Sequence, residues 1–294
     1  MTTIIGISAW YHDSAAALIQ DGAVIAAAQE ERFSRIKGDA SFPTQALKYC
    51  LEAANIQQLS EVDYFVFYEK PFIKFERLLE THLNQAPFGL RQFVKAIPSW
   101  IKQKLIARRT LERDIRQLFS DKKTPFPPLL FNDHHGSHAA MAFFTSSFNH
   151  AAILCFDGVG EWGSGSAWLG KNNTLIPLWQ IDFPHSLGLL YSAFASFCGF
   201  KVNSGEYKLM GLAPYGKPIY VDLIEQHLID IKPDGSFRMN LAYFDYQVGP
   251  RMTNRKFAKL FGGPALPLSA TPSQREMDLA ASIQAVIEKV VLRA

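Results

Sequence analysis

The chain has 294 residues, of which 48% are hydrophobic and 19% are charged, and its formal net charge is +3. This length and composition exclude a disordered or fibrous protein and favour one large or two medium globular domains. The small charge, the lack of a signal peptide and the lack of an apolar run of ~18 residues predict a cytoplasmic protein with no nucleic-acid or membrane partner.

Five elements are predicted at the start of the chain from hydrophobic periodicity. Three strands, over residues 4–10, 15–20 and 23–29, form a meander whose second turn is an Asp-Gly pair. A helix over residues 44–54 and a further strand over residues 62–68 follow. The order of three strands, a helix and a strand is one half of a known α/β arrangement.

A basic helical insertion is predicted at about residues 72–123. Residues 91–123 contain ten Lys or Arg and three Asp or Glu, so this stretch carries +7 and the remainder carries −4. An amphipathic helix here would have an apolar side formed by Phe93, Ile97, Trp100, Ile101 and Leu105. Its basic side is interpreted as a solvated face, a docking face for a partner domain or acidic ligand, or a membrane-surface contact.

The three-strand pattern begins again after residue 148. Strands are predicted over residues 151–157, 163–170 and 174–182, and a helix over residues 277–293. Two such openings predict an α/β protein with a duplicated ribonuclease-H-like fold, with lobes at 1–148 and 149–294. We expect the second copy to be incomplete, because no strand follows the last helix. In such folds the ligand lies between the lobes, at the carboxyl ends of strands.

A pair of histidines gives the strongest chemical signal. On a helix, His134 and His138 project from one face and can share a metal ion, although such a pair also arises by chance at helix surfaces and caps. Asp157 follows a predicted strand and precedes a glycine-containing turn, so its carboxylate should emerge at the strand end. Two imidazoles and a carboxylate leave positions open on iron(II), manganese or zinc. His135 is expected to lie behind the ligands or to face solvent.

Polar loops follow the first and third strands. An imidazole with an ordinary pKa of about 6.5 suits a general base, so His12 is a candidate base, but His12 and Asp13 would also serve as turn caps. Residues 30–37 carry five charges, and Arg35 and Lys37 are candidates to bind a phosphate or a carbonyl oxygen. The alternative is a solvated turn with local ion pairs.

Residues 204–213 combine a carboxylate and a lysine with two glycines. Close approach of the backbone to a ligand explains the glycines, and Lys208 would then contact a phosphate, but structural turns explain the same residues. His185 is interpreted as either a helix-start residue or a ligand. The cysteines have apolar neighbours and no metal-binding spacing, so we expect buried free thiols at Cys50, Cys155 and Cys198.

Taken in order, these segments resemble the carbamoyltransferase family that includes nodulation protein U and the antibiotic O-carbamoyltransferases. The matching strings span residues 4–216, with weaker similarity to residue 293, and are YHDSAAALIQDGAVIAAAQEERFSRIK, HHGSHAA, FDGVGE, PHSLGLLY and NSGEYKLMGLAPYG. The resemblance implies an N-terminal domain of the actin, sugar-kinase and heat-shock-ATPase superfamily, similar to the universal tRNA threonylcarbamoyladenosine metalloprotein. The YrdC-like domain that follows it in the family is expected to be absent from this chain, which would then be C-terminally truncated.

The resemblance also implies a two-stage reaction. The YrdC-like domain makes carbamoyl-adenylate from carbamoyl phosphate and ATP, and the metal domain transfers the carbamoyl group to a hydroxyl of a small-molecule acceptor. The matching metal ligands, most simply for iron(II), are His134, His138 and Asp157, and a fourth, an aspartate, is expected outside the chain. His12 matches the general base and Lys37 a ligand-binding lysine; Gly38 departs from the family, in which histidine often follows that lysine. Substrate or nucleotide binding is expected at Asp13, Arg35, Gly158, Gly160, Glu206, Lys208 and Gly211.

Three other interpretations stay open at this point. Transfer of a threonylcarbamoyl group to tRNA would use the same fold and metal, but the strings EERFSRIK and GEYKLMGLAPYG favour O-carbamoyl transfer. An ATP-dependent metabolite kinase would bind ATP with magnesium and would not need the histidine pair. Without a YrdC-like domain, the chain alone would be an inactive fragment.

Overall fold

The computed structural model describes residues 1–100, 106–120 and 123–294. The chain forms two compact units. The first comprises Met1–Glu76 and Ala96–Ser137, and the second comprises Arg77–Lys95 and His138–Ala294. The boundary passes through one continuous helix, His134–Phe144.

The described residues form the following regular elements. The strands are β1 (Thr3–Ser8), β2 (Ala15–Gln20), β3 (Ala23–Gln29), β4 (Tyr64–Phe67), β5 (Leu129–Phe131), β6 (His150–Phe156), β7 (Gly163–Lys171), β8 (Thr174–Asp182), β9 (Ile229–Ile231) and β10 (Phe237–Met239). The α-helices are α1 (Glu31–Ser34), α2 (Thr44–Ala53), α3 (Pro71–Asn84), α4 (Leu90–Trp100), α5 (Ala107–Arg116), α6 (His134–Phe144), α7 (Leu187–Phe197), α8 (Glu206–Leu212), α9 (Val221–His227), α10 (Arg255–Leu260) and α11 (Gln274–Arg293).

The first unit contains a five-stranded sheet in the order β3-β2-β1-β4-β5. β1 pairs antiparallel with β2 and parallel with β4, and β4 pairs parallel with β5. Alternate residues of β1 face the core, where Ile5 and Ile7 are buried together with Phe65 of β4. Leu47 of α2 and Leu111 of α5 belong to the same core, so these two helices stabilise the sheet by apolar burial.

One edge of this sheet collects polar loops. β1, β4 and β5 are parallel, so their carboxyl ends lie at the same edge. The chain leaves this edge at residues 9–14, 68–70 and 132–133. Side chains from three distant parts of the sequence can therefore meet there.

The second unit contains the antiparallel sheet β6-β7-β8 and a mainly helical part. Ala139 and Phe143 of α6 pack with Ile153 and Cys155 of β6. The helical part has its own core, in which α11 packs with α7, α8 and α9; its buried side chains include Phe194, Phe197, Phe257, Phe261, Leu279, Ile283, Val286 and Val290.

The predicted elements of both meanders are present, with ends within three residues of those expected. β1 ends at Ser8 rather than residue 10, because Trp10 has a φ of 69°, which lies outside the strand region. The α/β class is confirmed, and the three cysteines are buried and free as predicted. The duplication of a ribonuclease-H-like fold and the lobe boundary at residue 148 stay predictions.

Among the described residues, the predicted basic helical insertion at about residues 72–123 contains nearly all of α3 and the whole of α4 and α5. Ile101 and Leu105 of the predicted apolar side lie outside the described residues. Helix α5 buries Leu111 and Ile115 and exposes Arg108, which is the arrangement of a helix with a solvated basic face. No described helix has both the length and the hydropathy needed to cross a membrane.

Candidate metal centre

Helix α6 begins directly beyond β5, and local hydrogen bonds fix its first turn. Oδ2 of Asp133 accepts a hydrogen bond from the backbone N–H of Gly136 at 2.7 Å, which satisfies a donor that the helix leaves without a backbone acceptor. The Ser137 hydroxyl donates to the carbonyl oxygen of Tyr68 at 2.9 Å and ties this turn to the end of β4. These two hydrogen bonds therefore fix the position of His134 in the first turn of α6.

The three predicted metal ligands come together around α6. His134 and His138 lie one helical turn apart, and Asp157 directly follows β6. One donor atom from each side chain lies within 4.8 Å of the other two. The His134 side chain is buried, whereas those of His138 and Asp157 are 48% and 34% exposed. A small molecule can therefore reach the group from solvent.

The distances in this group are compatible with a shared ion. Nε2 of His138 is 3.8 Å from Oδ2 of Asp157, which is too far for a hydrogen bond. Two donors bound to one ion at ~2.0–2.2 Å lie about 3–4.2 Å apart, depending on the bond angle. The donor atoms of the whole group lie within 4.8 Å of one another, which exceeds the upper value of about 4.2 Å by about 0.6 Å. A small movement of the side chains closes this difference. The donor set suits iron(II), zinc or manganese and leaves positions open for another ligand.

Backbone packing supports Asp157. Its Oδ1 accepts a hydrogen bond from the N–H of Gly158 at 2.6 Å. The hydroxyl of Ser186, which caps α7, donates to the carbonyl oxygen of Gly158 at 2.7 Å. Gly188 permits this approach, because a Cβ there would lie only 2.6 Å from the carbonyl carbon and oxygen of Asp157. The N–H of Gly160 donates to the carbonyl oxygen of Gly163, the first residue of β7, at 2.8 Å.

The loop after β1 places His12 beside Asp13. Nδ1–H of His12 donates to Oδ2 of Asp13 at 2.7 Å, and both side chains are about half exposed. In a neutral imidazole that donates from Nδ1, Nε2 has the free lone pair that a general base requires. The backbone N–H of Ser14 bonds to the carbonyl oxygen of Asp39 at 2.8 Å, so this loop adjoins the one that contains Lys37.

The charged segment after β3 is partly structural. Glu30 is 5% exposed, and its carboxylate accepts hydrogen bonds from two backbone N–H groups in the first turn of α2. Glu31 accepts a hydrogen bond from the N–H of Gly38 at 2.8 Å. Arg35 and Lys37 are exposed. These two basic residues remain the candidates for ligand binding.

The segment around α8 also divides into structural and exposed residues. Glu206 accepts hydrogen bonds from the Ser192 hydroxyl at 2.7 Å and from the N–H of Asn203 at 2.9 Å, so its carboxylate closes the turn before α8. Lys208 is exposed, with Nζ 5.9 Å from the centre of a neighbouring tyrosine ring. A Cβ at Gly211 would meet nothing within 4 Å, so no contact within the protein requires glycine there. Ligand binding by these residues stays a prediction.

Two further histidines have structural surroundings. His135 is 2% exposed, so the interpretation in which it faces solvent is wrong. Nδ1 of His185 accepts a hydrogen bond from the backbone N–H of Met239 at 3.1 Å, directly before the cap of α7. Burial, together with the positive charge of Arg238, lowers the pKa of His185 below its ordinary value. His185 thus connects β10 to the residue that caps α7, and the choice between a helix-start residue and a ligand stays a prediction.

A buried ion pair beside His134 is the feature that sequence reasoning missed. Nζ of Lys74 donates to Oε2 of Glu69 at 2.6 Å, and the two residues are 8% and 0% exposed. Oε2 of Glu69 lies 3.9 Å from Nδ1 of His134. The sequence offered one indication of this pair, because Glu69 follows β4 by two residues and so lies at the same sheet edge as His12.

Comparison with known proteins gives a consistent set of matches. The family model described as "Carbamoyltransferase N-terminus" matches residues 3–294. The uncharacterized protein sll1178 of a Synechocystis species is 62% identical over 293 residues, which are 100% of this chain and 48% of that protein. Nodulation protein NolNO of Sinorhizobium fredii is 34% identical over 284 residues, 95% of this chain and 37% of its own. The chain thus spans about half the length of the first relative and less of the second.

Among solved structures, the Ppx/GppA phosphatase of Aquifex aeolicus matches 99% of this chain and 92% of its own. The TM-score is 0.34 and the sequence identity is 12%, a similarity below the level that indicates a shared fold.

Proposed function

The chain belongs to the carbamoyltransferase N-terminus family, and from this membership we propose that it is the metal-binding portion of an O-carbamoyltransferase. The proposed reaction moves a carbamoyl group from carbamoyl-adenylate, made from carbamoyl phosphate and ATP, to a hydroxyl of a small-molecule acceptor. The observation that carries this proposal is the convergence of donor atoms from His134, His138 and Asp157 within 4.8 Å.

These three side chains would hold the metal, for which we propose iron(II). When bound, such an ion supplies a Lewis acid that polarises the carbamoyl carbonyl group. The protein's part is to fix the donors. Oδ1 of Asp157 is held by the N–H of Gly158, and His134 is buried in the first turn of α6, so neither ligand needs to be ordered when substrate arrives.

His12 is the proposed general base toward the acceptor hydroxyl. Its Nδ1–H is held by Asp13, so Nε2 accepts the hydroxyl proton as the oxygen attacks the carbamoyl carbon. The bond from that carbon to the phosphate oxygen breaks, and AMP leaves with the bonding electrons. The Asp13 carboxylate then stabilises the imidazolium that forms, as a carboxylate does in other histidine-based catalytic sites. Both side chains are about half exposed, so an acceptor can approach them.

Lys37 and Arg35 are proposed to bind substrate through their positive charges. Lys208 is proposed, separately, as a residue that contacts a nucleotide phosphate. All three are exposed. Arg is suited to bidentate contact with phosphate oxygens, whereas Lys provides a compact charge. We also propose that the nucleotide is contacted by the backbone, or by the turns, at Gly158, Gly160, Glu206 and Gly211.

Metal analysis of the purified protein tests this function. We expect stoichiometric iron or zinc by plasma mass spectrometry, lost in His138→Ala and retained in a control, His150→Ala, which removes an exposed histidine of β6. In the full-length protein, carbamoyl transfer from carbamoyl phosphate and ATP should be lost with the metal. Unchanged metal content in His138→Ala would refute the ligand assignment, and activity that depends on magnesium alone would favour a kinase.

A further inference from the structure

The first unit contains an ion pair in a place where charges are costly. Glu69 is 0% exposed and Lys74, in the first turn of α3, is 8% exposed, with Nζ 2.6 Å from Oε2. Removing two charges from water costs several kcal/mol per ion, and apolar residues of similar volume often give a more stable protein. Stability therefore does not explain this pair.

The surroundings of the pair suggest a different role. Oε2 of Glu69 is 3.9 Å from Nδ1 of His134. Nζ of Lys74 is 4.9 Å from the ring centre of Tyr11, and that ring is 4.4 Å from the ring of His12. One buried pair is thus adjacent both to a proposed metal ligand and to the loop of the proposed base.

We propose that Glu69 and Lys74 are positioning residues for the metal centre. The Glu69 carboxylate lies 3.9 Å from Nδ1 of His134, so its charge acts on the orientation of this ring, as carboxylates behind metal-bound imidazoles commonly do. Lys74 holds this carboxylate in place from α3, and its contact with Tyr11 holds the His12 loop at the same sheet edge. This inference rests on the proposed metal site but concerns residues that do not bind the ion.

The test removes both charges together, because removing one would leave the other buried and could unfold the protein. The double variant Glu69→Gln/Lys74→Met preserves side-chain size. Its matched control is Glu225→Gln/Lys289→Met, which removes an ion pair of 2.7 Å in the second unit, between α9 and α11. Co²⁺ serves as the metal probe, since its visible absorption reports coordination by imidazole.

We expect the control to bind Co²⁺ as the unmodified protein does. Glu69→Gln/Lys74→Met should bind it about 10- to 100-fold more weakly, with an altered absorption spectrum and an unchanged far-ultraviolet circular dichroism spectrum. Equal Co²⁺ affinity and an equal spectrum in the double variant would overturn this inference alone. A failure of the unmodified protein to bind Co²⁺ would overturn the proposed metal site and this inference with it.

Discussion

Gly188→Ala tests whether the packing of α7 against the Asp157 loop holds the carboxylate in place. The added Cβ would lie 2.6 Å from the carbonyl carbon and oxygen of Asp157, whereas ordinary contacts begin at 3.4 Å. Relief requires a backbone shift of roughly 0.8 Å, which exceeds the ~0.2 Å tolerance of metal–ligand distances. We expect a loss of about 1–3 kcal/mol in the free energy of unfolding and a clear loss of metal affinity.

The matched control is Gly6→Ala in β1, where the added Cβ has no neighbour closer than 3.9 Å. Urea unfolding followed by circular dichroism, with a chelator present, measures the stability of each variant without the contribution of metal. Titration with Co²⁺ then measures affinity separately. Equal unfolding midpoints for Gly188→Ala and Gly6→Ala, with equal Co²⁺ affinity, would show that the close approach does not support the carboxylate.

Two further predictions concern structural polar residues. Glu30→Ala should lower the free energy of unfolding by about 1–3 kcal/mol because α2 loses its cap, while Glu52→Ala on the exposed side of α2 should not; equal urea midpoints would contradict the capping role. His185 has a lowered pKa, so its contribution to stability is present above pH ~6.5 and is lost as the pH falls through the folded-state value. The unfolding midpoint should therefore fall less between pH 7.5 and 5 in His185→Asn than in His150→Asn, and parallel pH profiles would refute this.

Much of the first unit can be predicted from sequence because local patterns decide it. The strands β2 and β3 have the predicted ends, since a two-residue turn joins them and burial alternates along most of β2. The shift in register between Leu18 and Ile19 was not predicted. The histidine pair is equally local. Once α6 is a helix, the interval from His134 to His138 places both imidazoles on one face.

The features that sequence reasoning missed depend on contacts between distant segments. Glu30 reads as one more charge in a polar run, and only the packing of β3 against α2 shows that it caps a helix. Glu69 and Lys74 appear as ordinary charges in a segment rich in them until β4 and α3 bring them into the interior. The role of Gly188 requires knowing that α7 returns to the end of β6.

The placement of two imidazoles on a single helix also limits how the centre can adapt to ions of different size. The interval between His134 and His138 is set by the rise of α6, about 6 Å along the axis, and cannot widen unless a turn unwinds. Asp157 stands on a loop, so the position of its carboxylate depends on the contacts that hold this loop, which here involve Gly158 and Gly188. The residues that restrain this loop would then determine which ionic radius the centre accepts. Exchanging the loop sequence between relatives would change that preference without altering α6.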